Sequence, residues 1–146
     1  MISAKNILVL APHTDDGEFG CGASIAKFKR DGAKVTYVAF SSCEESLPKG
    51  CDANQLKDEL FLATKALGLG DKDVFLFDFK VRFFPRDRQD ILEKMVELNK
   101  QLKPDLVFMP SLDDTHQDHL TIAEEGFRAF KKSSILGYEV PWNNRA

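Results

Sequence analysis

The stretch Asn6 to Ala11 (NILVLA) constrains this chain more than any other. It is apolar without polar alternation, and Pro12 stops it too early for a helix. Such a run reads as a strand buried on both faces, which needs a parallel sheet covered by helices on each side. The rest of the chain fits that demand. An amphipathic helix is expected over Gly20 to Asp31, with Ile25 and Phe28 inward and Gly32 as its stop. Ala33 to Ser42 is β-rich, Ser42 to Asn54 is a polar loop, and Gln55 to Leu67 has helical spacing at Leu56, Leu60, Ala63 and Leu67. A third strand is expected at Val74 to Phe79, and a helix over Asp87 to Leu102. A fourth strand follows at Asp105 to Met109, then a helix over Thr115 to Lys131 and a fifth strand at Ile135 to Val140. Alternating strands and helices make right-handed βαβ units. The fold class is α/β, a Rossmann-like three-layer sandwich on a mainly parallel sheet of about five strands.

The 146 residues suit one domain, 1–146. A formal net charge of -3 argues against a nucleic-acid partner, and the basic run KFKR (Lys27 to Arg30) reads as a solvated helix face. No apolar run is long enough for a membrane span. The N-terminus carries no signal-peptide pattern, because its apolar run ends at a proline. Cys21, Cys43 and Cys51 cannot all pair within one chain, and their spacing fits no four-ligand zinc pattern. A reduced cytoplasmic protein is the expectation.

In open α/β sheets, ligands bind beyond the carboxyl ends of the strands. All three histidines fall there. His13 follows the first strand in LAPHTDDGEFGCG, while His116 and His119 follow the fourth in SLDDTHQDH. Asp15, Asp16 and Glu18 precede a helix, where carboxylates can cap free amides, and capping alone explains that cluster as well as chemistry does. A phosphate loop fits poorly, since GEFGCG has the wrong glycine order and adjacent carboxylates repel phosphate. If the first and fourth strands are neighbours, the two clusters meet. Two imidazoles and a carboxylate then make a three-ligand site with one position open for water, as in catalytic zinc. The remaining Asp and His suit a base and an electrostatic partner.

At these residues the chain resembles the LmbE/PIG-L family of zinc-dependent N-acetylglucosamine deacetylases. PHTDD (Pro12 to Asp16) and HQDH (His116 to His119) match the family's two motifs in order and location, and ELFLATKALG (Glu59 to Gly68) resembles its second helix. The resemblance implies metal ligands His13, Asp16 and His119, a general base Asp15, and an oxyanion-stabilising or acid histidine His116. It implies that Asp118 orients or tunes that histidine, that the cofactor is Zn or another divalent metal, and that the substrate is a small-molecule amino-sugar conjugate. Asp15 or His116 would protonate the leaving amine.

Three departures stand out. Thr14 replaces a proline, Gly17 stands where the family has glutamate, with Glu18 one place later, and the chain ends at YEVPWNNRA where family members continue. The expectation is a deacetylase domain that lacks the family's C-terminal portion, with a sheet edge that a homo-oligomer could cover. Arg82, after the third strand, is a candidate contact to a substrate hydroxyl or anionic group, with a surface salt bridge as the alternative, and Asp113 and Asp114, in the second cluster, could hold sugar hydroxyls or orient His116, with turn aspartates as the alternative. Tyr138 and Trp142 could stack on a sugar, or pack the last strand. A rival reading is a non-catalytic metal- or ligand-binding module that lost its activity with its C-terminal part. A nucleotide binder is disfavoured by the missing glycine fingerprint.

Overall fold

The computed structural model describes residues 4–144. Five strands form one parallel sheet: β1 (Asn6–Ala11), β2 (Lys34–Ala39), β3 (Val74–Leu76), β4 (Leu106–Pro110) and β5 (Ser134–Tyr138), in the order β3-β2-β1-β4-β5. The chain winds outward from β1 to β3 and then returns to lay β4 against β1, with Ile7 opposite Leu106 and Val9 opposite Phe108. The crevice where strand order reverses therefore opens between the carboxyl ends of β1 and β4.

Alternate residues of the central strands feed two separate cores. Ile7, Val9 and Ala11 of β1 face one side, packing with Ile25 of α1 (Asp16–Arg30) and Leu60 of α2 (Gln55–Ala66). Leu8 and Leu10 face the other, against Ile91 and Met95 of α3 (Phe84–Leu102) and Ile122 of α4 (Gln117–Ala129). β1 is buried on both faces, as its unbroken apolar run demands.

Several elements depart from their expected bounds for physical reasons. α1 starts at Asp16 instead of Gly20, with a kink at Cys21, because its glycines accommodate aromatic rings. A Cβ on Gly17 would lie 2.4 Å from the Tyr37 ring, and one on Gly20 would lie 2.1 Å from the Tyr138 ring. Both tyrosines rise from the sheet, and Tyr138 is buried with its hydroxyl donating to the Leu10 carbonyl at 2.9 Å. β3 ends at Leu76. Phe77 and Phe79 continue to bond the main chain of Ala39 and Phe40, and both lean into the second core. α3 starts earlier than Asp87, at Phe84, with Pro85 in its first turn, where a missing N–H costs nothing. No helix among the described residues is long and apolar enough to cross a membrane.

Candidate active site

His13 and Asp16 leave the end of β1 and enter α1, while His116 and His119 lie at the start of α4, just past β4. Because β1 and β4 are neighbours, the two clusters meet. His13 Nδ1 lies 3.1 Å from Asp16 Oδ2, His119 Nε2 lies 3.2 Å from the same oxygen, and the two ring nitrogens are 3.3 Å apart.

The outer nitrogens of both rings are occupied. His13 Nε2 donates to Asp118 Oδ2 at 3.0 Å, and His119 Nδ1 donates to Asp114 Oδ2 at 2.7 Å. Asp118 and Asp114 are both buried. Each neutral ring has one proton, and these bonds use it. Two imidazole lone pairs and a carboxylate oxygen are thus turned on one point. Donors at about 2.0–2.1 Å from a tetrahedral ion stand about 3.3 Å apart, so this triangle fits a divalent metal such as zinc. The carboxylates favour a positive charge at this point, and without a metal that charge is a proton on His13. Burial opposes protonation of His13, but Asp118 and Asp16 outweigh it and raise its pKa to about 9. Burial would raise the Asp16 pKa, but bonds from His119 and His13 hold it well below the usual carboxylate range.

A looser trio of donors also exists, since one nitrogen from each of His13, His116 and His119 lies within 4.8 Å of the others. His116 is engaged differently. It is the N-cap of α4, with Nδ1 accepting from the Asp118 main-chain N–H at 3.1 Å. That bond requires Nδ1 to be unprotonated, so the ring is neutral with its proton on Nε2. Burial, followed by the charges of His119 and His13, lowers its pKa.

A cleft of about 420 Å³ opens over this end of the sheet, lined by His13, Asp15, Arg82 and His116 among others. Asp15 stands at the N-cap of α1 without a side-chain cap bond, so the capping explanation does not hold for its carboxylate. Burial and the adjacent Asp16 raise its pKa. Glu18 accepts from the Tyr37 hydroxyl at 2.6 Å, and that hydroxyl also takes the Gly17 N–H at 3.0 Å. Any side chain at position 17 would collide with this tyrosine.

Three placements differ from expectation. The Asp118 carboxylate lies on His13 instead of His116, because the His116 ring is already used by the Asp118 main chain. Asp113 is exposed and lines a separate hollow with Leu112 and Thr115, away from the cleft, while its neighbour Asp114 turns inward to His119. Asp114 was the orienting carboxylate that sequence spacing did not single out from Asp113. Trp142 is 68% exposed and meets the exposed Phe19 edge to face at 5.4 Å, outside the residues that line the cleft.

Residues 8–130 match the PIG-L family, described as GlcNAc-PI de-N-acetylase. The chain is 29% identical over 143 residues to the uncharacterized deacetylase YaiS of Escherichia coli K12, covering 94% of this chain and 75% of that protein. It is 25% identical over 165 residues to 1D-myo-inositol 2-acetamido-2-deoxy-alpha-D-glucopyranoside deacetylase of Salinispora arenicola, covering 92% of this chain and 53% of that one. The fold resembles N,N'-diacetylchitobiose deacetylase from Pyrococcus horikoshii with a TM-score of 0.74 at 23% identity, covering 87% of this chain and 49% of that one. The chain thus spans from about half to three-quarters of the length of these relatives.

Proposed function

The chain belongs to the PIG-L family, and on that premise we propose that it is a metal-dependent hydrolase that removes the acetyl group from an N-acetylglucosamine-type conjugate. The observation that carries this reading is the donor triangle of His13, Asp16 and His119, with sides of 3.1–3.3 Å, beside a carboxylate that caps nothing. Zinc, or another divalent metal, is the cofactor these donors suit.

In this reading His13, Asp16 and His119 hold the metal, which when bound acidifies a water and polarises the acetyl carbonyl. Asp118 and Asp114 fix the two ligand rings in the tautomers that point lone pairs inward. Asp15 takes the proton of the attacking water. Its raised pKa suits a group that must first accept a proton and then return it. His116 donates its Nε2–H to the oxygen that gains charge as the carbonyl is attacked. Because Nδ1 is held unprotonated by the Asp118 N–H, His116 acts as a neutral donor, and protonation of the leaving amine falls to Asp15. Arg82, on the cleft wall, is the substrate contact.

The deciding experiment is acetate release from a panel of N-acetylglucosamine conjugates by zinc-loaded protein, alongside metal analysis. The reading expects metal near one equivalent and acetate release that a chelator abolishes. Bound metal with no release from any conjugate would instead leave a metal-binding module without this activity.

A further inference from the structure

Asp114 serves both histidines of α4. Its Oδ2 accepts from His119 Nδ1 at 2.7 Å, and its Oδ1 accepts the His116 main-chain N–H at 2.8 Å. A ligand ring held by a carboxylate is only as well placed as the carboxylate itself. Asp114 sits in the loop between β4 and α4, which holds itself weakly. Its internal bonds to Ser111, from the Asp114 N–H to the carbonyl at 3.3 Å and from the Asp113 N–H to Oγ at 3.2 Å, are at or beyond the long end of the N–H···O range.

The firm bonds come from 28 residues further along the chain. After β5 the chain turns, with the Asn143 N–H on the Val140 carbonyl at 2.9 Å, and returns to this loop. The Asn143 carbonyl accepts twice from Thr115, from its N–H at 2.8 Å and from its Oγ1 at 2.7 Å. Asp114 pairs with Asn144 in an antiparallel bridge. The returning segment is itself anchored twice. Val140 is buried in the first core, and Trp142 lies edge to face on Phe19 of α1, the helix that begins at Asp16. Residues 140–144 thus strap the loop that aims His119 to the helix that carries Asp16. Thr115 is the grip on that strap. It is exposed, so its hydroxyl packs no core. Two donors from one residue on both lone pairs of one carbonyl fix where that residue lies.

We propose that Thr115 is a positioning residue for the metal site. By gripping the Asn143 carbonyl it fixes Asp114, and through Asp114 it fixes the His119 ring with Nε2 turned toward the His13 and Asp16 donors. The inference rests on the metal-binding part of the reading above and is independent of which bond the site hydrolyses.

The test compares Thr115→Val, Thr115→Ser and Ser133→Ala with the parent. Thr115→Val keeps the shape and the N–H bond but loses the Oγ1 bond, whereas Thr115→Ser keeps both bonds. Ser133→Ala removes another hydroxyl-to-carbonyl bond of 2.7 Å, to Pro104, at the opposite end of the sheet. Zinc affinity is read by competition with a chelating dye, and ligand geometry by the visible absorption of the cobalt(II)-loaded protein. Thr115→Val should weaken zinc binding about threefold to tenfold, the scale of one net hydrogen bond, and alter the cobalt spectrum. Thr115→Ser should match the parent in both. Ser133→Ala should lower the melting temperature of the metal-free protein and move neither. A Thr115→Val that loses melting temperature alone, as Ser133→Ala does, overturns the proposal. So does a Thr115→Ser as impaired as Thr115→Val, because the hydroxyl is then not the group that acts. A parent that takes up neither metal removes the metal site and this role with it, while a parent that binds zinc no better than Thr115→Val leaves the metal site standing and removes only the role of Thr115.

Discussion

Asp118 Oδ2 lies 3.0 Å from His13 Nε2, joining the first turn of α4 to the end of β1 across 105 residues of sequence. The same carboxylate accepts the main-chain N–H of Arg82 and, through Oδ1, that of Phe84 at 3.2 Å. It sets the His13 tautomer, and no other described residue bonds His13 Nε2. Asp118→Asn should therefore weaken zinc binding about 10- to 100-fold, the usual cost of losing a carboxylate behind a ligating histidine. Competition against a chelating dye measures this directly, and unchanged affinity would remove Asp118 from the metal site.

Asp15 should separate binding from chemistry. Its side chain opens to the cleft and makes no cap bond, so Asp15→Ala is expected to bind zinc with the parent's stoichiometry. Acetate release should drop by about 10²–10⁴, the usual contribution of a positioned acid–base group. Turnover within a few-fold of the parent would transfer the proton-transfer role to another residue.

Much of this site was legible because strand ends are legible. The apolar run Asn6 to Ala11 fixed both bounds of β1, and the ionisable residues beyond it had to fall on the ligand-binding edge. What sequence could not supply was the direction of side chains in turns. Asp113 and Asp114 are adjacent, and the turn bonds around Ser111 decide that only Asp114 reaches His119. Likewise, the N-cap role of His116 rotates Asp118 away from it, a consequence of helix-start geometry that spacing does not encode. The start of α1 at Asp16, ahead of the expected Gly20, is not written in local spacing, because the rings that pack on its glycines come from the distant β2 and β5.

Proton and metal should compete at His13. Burial opposes its charging, yet Asp118 and Asp16 outweigh this and lift its pKa from 6.5 to about 9. A pKa raised by folding adds stability that is complete below the unfolded value and is lost as pH rises toward the folded value. The metal-free protein should therefore lose this contribution between about pH 6.5 and 9. Zinc must displace the same proton, so its apparent affinity should rise through that window, approaching about tenfold per pH unit. The increase in melting temperature caused by excess zinc should accordingly be larger at about pH 8 than at about pH 6. An increase that is the same at both values would mean that His13 holds no displaceable proton.

The glycines of α1 give a test that needs no substrate. An added Cβ at Gly20 would lie 2.1 Å from the Tyr138 ring, which is buried and tied to the Leu10 carbonyl, so neither side can yield cheaply. At Gly22 the nearest atoms, on Glu18 and Leu67, would be 3.7 Å away, an ordinary contact. Alanine favours a helix over glycine by about 1 kcal/mol, whereas forcing a methyl into a packed site costs about 1–3 kcal/mol. Gly20→Ala should thus be destabilising, while Gly22→Ala should be neutral or stabilising by up to about 1 kcal/mol. Urea denaturation of the two variants checks the pair. If Gly20→Ala is as stable as Gly22→Ala, the ring of Tyr138 is not what requires a glycine at that position, and the early start of α1 needs another cause.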